Sequence, residues 1–116
     1  MSDEIYNMSK EISDYYLLSP IDFQILKSIE IKPLEPYFNK LSIYIILSNR
    51  DHTKTLHLYF EDVHEFFFNQ PERSSIHFML SIREKNELGL YRVLCEEQDT
   101  IDVIGFYCSF FTATIV

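Results

Sequence analysis

The side chains able to do chemistry in this chain are four histidines, two cysteines and eighteen carboxylates. Their spacing decides what they can do together. His52, His57 and His64 match no zinc-binding interval and bring no supporting acid at helical spacing. His57 and His77 fall on the polar parity of alternating runs, where a half-exposed imidazole is ordinary. Only assembly with Glu61 from neighbouring strands would make a metal site of them. Cys95 and Cys108 stand in apolar alternating runs, outside any C-x-x-C. They read as buried free thiols, and burial raises a thiol pKa and blunts its reactivity. A disulfide would need their two runs to pair as neighbouring strands in an oxidising compartment. There is no G-x-S-x-G, and two glycines cannot build a phosphate-cradling loop. Glu96-Glu97 and Asp99-Asp102 crowd one solvated loop, with nothing to shift their pKa values. The sequence therefore predicts no catalytic residue, no cofactor and no metal.

What remains is surface. Acids gather at Glu61, Asp62 and Glu65, at Glu84 and Glu87, and at Glu96, Glu97, Asp99 and Asp102. The first and third groups flank aromatic runs that include Phe67 and Tyr107. Acids around an exposed ring suit a basic protein partner, because charge steers the encounter and the ring anchors it. The plainer reading is polar loops and edge strands guarded by charge. Eighteen acids against ten bases give a net charge of −8. That charge repels nucleic-acid phosphate and anionic membranes; it also serves solubility alone.

The elements that must carry these residues follow from length and periodicity. At 116 residues the chain is expected to form one domain, with residues 1–18 as a helix or tail and 21–116 as a β domain. The spacing of Ile5, Met8, Ile12 and Tyr15 predicts a helix over 3–16, ended by Ser19-Pro20. Beyond Pro20 the period becomes two. Ile21, Phe23, Ile25, Ile29 and Ile31 share parity, as do Leu41, Ile43, Ile45 and Leu47. Further runs place Leu56, Leu58 and Phe60 on one face, then Ile76, Phe78, Leu80 and Ile82. Tyr91, Val93 and Cys95 form another, and Ile104, Phe106, Cys108 and Phe110 the last. Alternation of this kind marks antiparallel strands with one covered face. Intervals such as PLEPYFNK and SNRDHT read as short connections. All four prolines read as breaks, and no internal repeat is visible. The fold class expected is mainly β (α+β): a curled antiparallel sheet or compact sandwich of six to seven strands with one N-terminal helix.

One run breaks its own parity. Continued unbroken past Phe60, the strand would turn Asp62 inward and Val63 outward, and an unpaired buried carboxylate is costly. A bend at Glu61-Asp62 removes the conflict. Phe66 and Phe68 then face the core, and Phe67 is left outside beside the acids.

Residues 56 to 111 resemble the C-terminal halves of small β-rich bacterial protein families, some assigned as immunity proteins of polymorphic toxin systems. The resemblance lies in Leu58 and Phe60, Val63, Tyr91 and Val93, Glu96-Glu97, and Phe106, Tyr107, Cys108 and Phe111. It implies no catalytic residues. It implies a cytoplasmic protein that binds and blocks one toxin, with an acidic surface set against a basic domain. Two other readings stand beside it: a small-ligand binder with an aromatic-lined pocket, and a structural subunit pairing into a homodimer. The first ten residues lack a basic region followed by an apolar one. No apolar run approaches the ~20 residues of a membrane span. Both observations fit the cytoplasm.

Overall fold

A computed structural model describes residues 9–34, 37–68, 79–96 and 102–116. The first element is helix α1, Lys10–Leu17. Ser9 caps it, its hydroxyl accepting the Ile12 N–H at 3.4 Å and so satisfying one of the free donors of the first turn. Ile12 and Tyr15 are buried, as the helical spacing requires. Ile5, Met8 and the start of the expected helix lie outside the described residues. Pro20–Asp22 form a single 3-10 turn, so Ile21 is not the head of a strand and stands 60% exposed.

Among the described residues eight strands follow rather than six or seven. They are β1 (Ile25–Leu34), β2 (Tyr37–Ser48), β3 (Thr55–Glu61), β4 (His64–Phe68), β5 (Leu80–Arg83), β6 (Tyr91–Glu96), β7 (Asp102–Cys108) and β8 (Phe110–Ile115). They form two antiparallel four-stranded sheets, ordered β1-β2-β3-β8 and β4-β7-β6-β5. Their inner faces meet in one core, where the Phe60 and Phe106 rings pack edge to face with centroids 4.9 Å apart. Ile43, Ile45, Leu47, Leu56, Leu58, Phe60, Val93, Cys95, Ile104, Phe106 and Cys108 are all fully buried. The alternating parity supplied each of them.

Several expected breaks are strand instead. PLEPYFNK is largely the β1–β2 hairpin, with Pro33 paired to Leu41 inside it. Pro33 is tolerated because β1 is a sheet edge, where a missing N–H costs no ladder bond. Ile31 and Leu41 keep inward parity yet are 44% and 37% exposed, because nothing among the described residues covers that end of the hairpin.

The two sheets are joined by two corners lying opposite one another. β3 pairs with β8 from Leu56↔Ile115 to Glu61↔Phe110. Beyond the corner, β4 pairs with β7 at His64↔Tyr107 in the same register. The Ser109 N–H bridges the gap by donating to the Glu61 carbonyl at 3.2 Å. On each side of the corner the inward residues are three apart instead of two: Phe60 and Val63 on one strand, Cys108 and Phe111 on the other. Strands that switch sheets through a bend do this. The second shift overturns one expectation. Phe111 is buried, and Phe110, assigned to the core by its parity with Cys108, is 47% exposed.

The corners also reveal a repeat that the sequence hides. Each half of the chain makes a three-stranded meander and sends its fourth strand to the other half's sheet: β4 to β7, and β8 to β3. Ile43, Ile45 and Leu47 correspond to Tyr91, Val93 and Cys95. Leu56, Leu58, Phe60 and Val63 correspond to Ile104, Phe106, Cys108 and Phe111. The spacing is constant throughout, and the burial pattern is the same.

Helix α1 closes the open edge of β5 with two phenols. The Tyr15 hydroxyl donates to the Leu80 carbonyl. The Tyr16 hydroxyl accepts the Ile82 N–H at 3.2 Å and donates to the Ile82 carbonyl at 3.1 Å. Backbone groups that a neighbouring strand would have paired are thereby satisfied.

Candidate functional site

The bend expected at Glu61-Asp62 is present. Asp62 takes a left-handed backbone (φ 57), a conformation that Asp tolerates better than most residues, and Val63 turns inward at 8% exposure. Its N–H donates to the Leu41 carbonyl at 3.0 Å. Glu65 is also left-handed (φ 53) and sits in the register shift between His64 and Phe67. That bulge spends one extra residue and re-aims the rings after it.

Phe66 packs half-buried against the core, its ring 6.1 Å from Phe106. Phe68, expected in the core, is 43% exposed. β4 is the edge of its sheet, and inward parity at an edge does not guarantee cover. Phe67 lies on the outer face as expected, but it is half-buried. Its ring covers Gly105, so that a Cβ there would meet Cε1 at 2.3 Å. Phe67 is therefore occupied within the fold and is not a free anchor.

The acids of the corner are unequally available. Glu61 is half-buried and accepts from the Tyr59 hydroxyl at 3.1 Å. Burial and that carboxylate together raise the Tyr59 phenol pKa. Asp62 lies 3.0 Å from His64 Nε2 and 3.9 Å from Lys40 Nζ. Glu65 is exposed and makes no ion pair among the described residues. Directly opposite Glu61 stands Phe110, the exposed ring that parity had assigned to the core. One corner acid, Glu61, thus stands opposite an exposed aromatic, and that ring is Phe110 rather than Phe67 or Tyr107. Only Ser109, a lone polar residue in an apolar run, marked that corner in the sequence.

Tyr107 is half-buried on the outer face of the second sheet, paired with His64 on one side and Arg92 on the other. The Arg92 guanidinium lies 4.6 Å over its ring. Glu96 and Asp102 pair across β6 and β7, at the far end of β7 from the corner. At about 3.3 Å per residue that is roughly 20 Å from Cys108, so the backbone at Glu96 and Asp102 lies well away from the corner. Glu97, Asp99 and His77 lie outside the described residues. Glu84 and Glu87 are exposed on the β5–β6 connection.

The first sheet's outer face holds a polar chain toward the end of β3 away from the corner. Tyr44 Oη meets His57 Nδ1 at 2.5 Å, and Thr55 Oγ1 meets His57 Nε2 at 2.8 Å. Both imidazole nitrogens are engaged within the protein. Among the described residues no three His, Cys, Asp or Glu side chains converge as a metal set would. Burial pushes the Cys108 thiol up to about 12 and Cys95 well above its ordinary range, so neither is a thiolate at neutral pH. Two surface clefts adjoin the 3-10 turn. One is lined by residues including Ile21, Gln24 and Arg50, the other by residues including Phe23, Asn49 and Ile115, and Phe23 is the only aromatic lining either. No helix among the described residues is long and apolar enough to cross a membrane. No protein-family model, curated protein or solved structure matches the chain.

Proposed function

We propose that the chain is a non-enzymatic protein-binding module whose contact element is the double corner. In keeping with the family resemblance of residues 56 to 111, it acts as an immunity protein that neutralises a basic toxin domain in the cytoplasm. The observation that carries this reading is Phe110, 47% exposed and directly across the ladder from Glu61. A large exposed ring opposite a carboxylate is costly to leave in water and matches the anchor-and-steer composition of protein interfaces. Glu61 and Glu65 supply the charge and Phe110 the buried contact. Inhibition is by occupation: the corner covers the basic cleft through which the toxin reaches its substrate.

The test is a search of the neighbouring genes for a toxin-like protein and co-expression with any found, scoring growth and measuring affinity by calorimetry; neighbours that encode none would count against the reading. Phe110→Ala should weaken the complex by at least about tenfold, as an interface anchor does, with little loss of fold stability. Glu61→Lys with Glu65→Lys should slow association most at low salt, where screening is least. Unchanged affinity in both variants would remove the corner from the interface.

A further inference from the structure

The outer face of the second sheet concentrates charge of the opposite sign. Arg83 on β5 stands directly opposite Arg92 on β6, and Arg92 stands opposite Tyr107 on β7. Like charges directly opposite one another destabilise a sheet. A chain with eighteen acids and ten bases has carboxylates to spare for relieving that repulsion. Yet neither guanidinium forms an ion pair among the described residues. Glu84, next to Arg83 in the chain, is already engaged, accepting the Ser9 N–H at the start of α1. Arg92 is also pre-positioned, its guanidinium resting 4.6 Å over the Tyr107 ring, a stacking that lysine cannot reproduce.

We propose that the Arg83–Arg92 pair is a binding site for a carboxylate presented by a protein partner. One guanidinium can hold both oxygens of a carboxylate through two parallel N–H···O bonds, and a second arginine opposite it in the ladder adds charge. Half-buried Leu94, next along β6 on the same face, offers an apolar seat for the aliphatic part of that side chain. The net charge of −8 selects among anions. A phosphate carries about two charges and meets stronger repulsion from the surrounding acids. A single carboxylate on an otherwise neutral or basic surface meets the least. The site stands apart from the corner contact and is tested separately from it.

The experiment is a 15N NMR titration of the full chain at physiological salt. The probe is the capped peptide acetyl-Lys-Leu-Glu-Leu-amide, with its Gln counterpart and inorganic phosphate as separate arms. Saturable shifts at the Arg83, Arg92 and Tyr107 amides with the Glu peptide, absent with the Gln peptide, are expected. Arg92→Lys should weaken that binding by about tenfold through loss of the stacked fork. Arg83→Gln should abolish it while leaving urea stability unchanged or raised, because like-charge repulsion is relieved. Tighter binding of phosphate at the same amides would overturn the choice of carboxylate. No saturable shift, equal shifts with the Gln peptide, or a loss of stability in Arg83→Gln would overturn the site.

Discussion

Replacing Gly105 by alanine should destabilise the protein only while the Phe67 ring is present. Gly105 is fully enclosed, and a Cβ built on it would lie 2.3 Å from Phe67 Cε1, 2.5 Å from Cζ and 3.2 Å from Leu94 Cδ1. Carbon atoms in contact sit about 3.5–4.0 Å apart, so the ring must retreat by more than an ångström. It has somewhere to go, because β4 is an edge strand. Retreat into water forfeits the cover of a half-buried phenylalanine, about 1–2 kcal/mol from its share of a full burial. A ring that stays put costs a similar amount as overpacking, about 1–3 kcal/mol. Alanine returns about 0.4–1 kcal/mol by narrowing the unfolded ensemble. The net cost of Gly105→Ala is therefore about 1 kcal/mol. In a Phe67→Ala background only the gain survives, and the same change should stabilise by about 0.5 kcal/mol. The resulting coupling of about 1.5 kcal/mol falls within the range for residues in contact. Urea denaturation of the four proteins, followed by circular dichroism at a common m-value, measures it. An equal effect of Gly105→Ala in both backgrounds would show that the ring does not cover the glycine.

The β5 edge should loosen when its phenols are removed. Tyr16→Phe should cost about 1 kcal/mol, a typical net hydrogen bond, and speed hydrogen exchange at Ile82. Tyr15→Phe should cost about 1–3 kcal/mol, because it leaves a buried carbonyl at Leu80 without its donor. Glu65→Gly should stabilise by up to about 1 kcal/mol: it relieves a left-handed backbone costing about 1–2 kcal/mol and gives back about 0.5–1 kcal/mol as glycine entropy. Unchanged or lower thermal stability in that variant would deny that Glu65 is strained. High pH should unfold the protein through its thiols. Burial raises the Cys95 and Cys108 pKa values in the fold, so their contribution is complete below the unfolded thiol pKa of about 8.5. Above it, stability falls by about 1.4 kcal/mol per pH unit for each thiol that the fold keeps protonated, until Cys108 itself ionises near 12. Cys108→Ala should flatten that slope in denaturant titrations between pH 9 and 11.

The sequence displayed one corner and concealed the other for a single reason. At Glu61-Asp62 a wrong parity would bury a carboxylate, so the chemistry forces the bend into view. At Ser109 both parities bury a phenylalanine, since Phe110 and Phe111 are adjacent, and nothing in residue type chooses between them. The central strand faces were readable because one covered face imposes a period of two. Where cover ends, at Ile31, Leu41 and Phe68, the period persists and burial does not. The acidic half of the candidate surface was readable from composition, whereas its aromatic half depended on the concealed corner. The Arg83–Arg92 juxtaposition depends on register between strands whose connection fixes no unique alignment. The repeat stayed hidden because its halves share a pattern of burial and hardly any residues; Tyr59 and Tyr107 coincide, but Leu58 answers to Phe106 and Phe60 to Cys108.

The exchange of fourth strands between the two halves makes this architecture indifferent to ownership. β4 completes the sheet of β5, β6 and β7, and β8 completes the sheet of β1, β2 and β3, so neither half closes its own sheet. The ladder between them is the same whether the two halves belong to one molecule or to two. Within one molecule the covalent tether between β4 and β5 holds each half near the other at an effective concentration on the order of millimolar. Shortening or stiffening that tether would leave the contacts of the fold intact. It would transfer them to an intertwined pair of chains, and dilution would then dismantle both subunits at once.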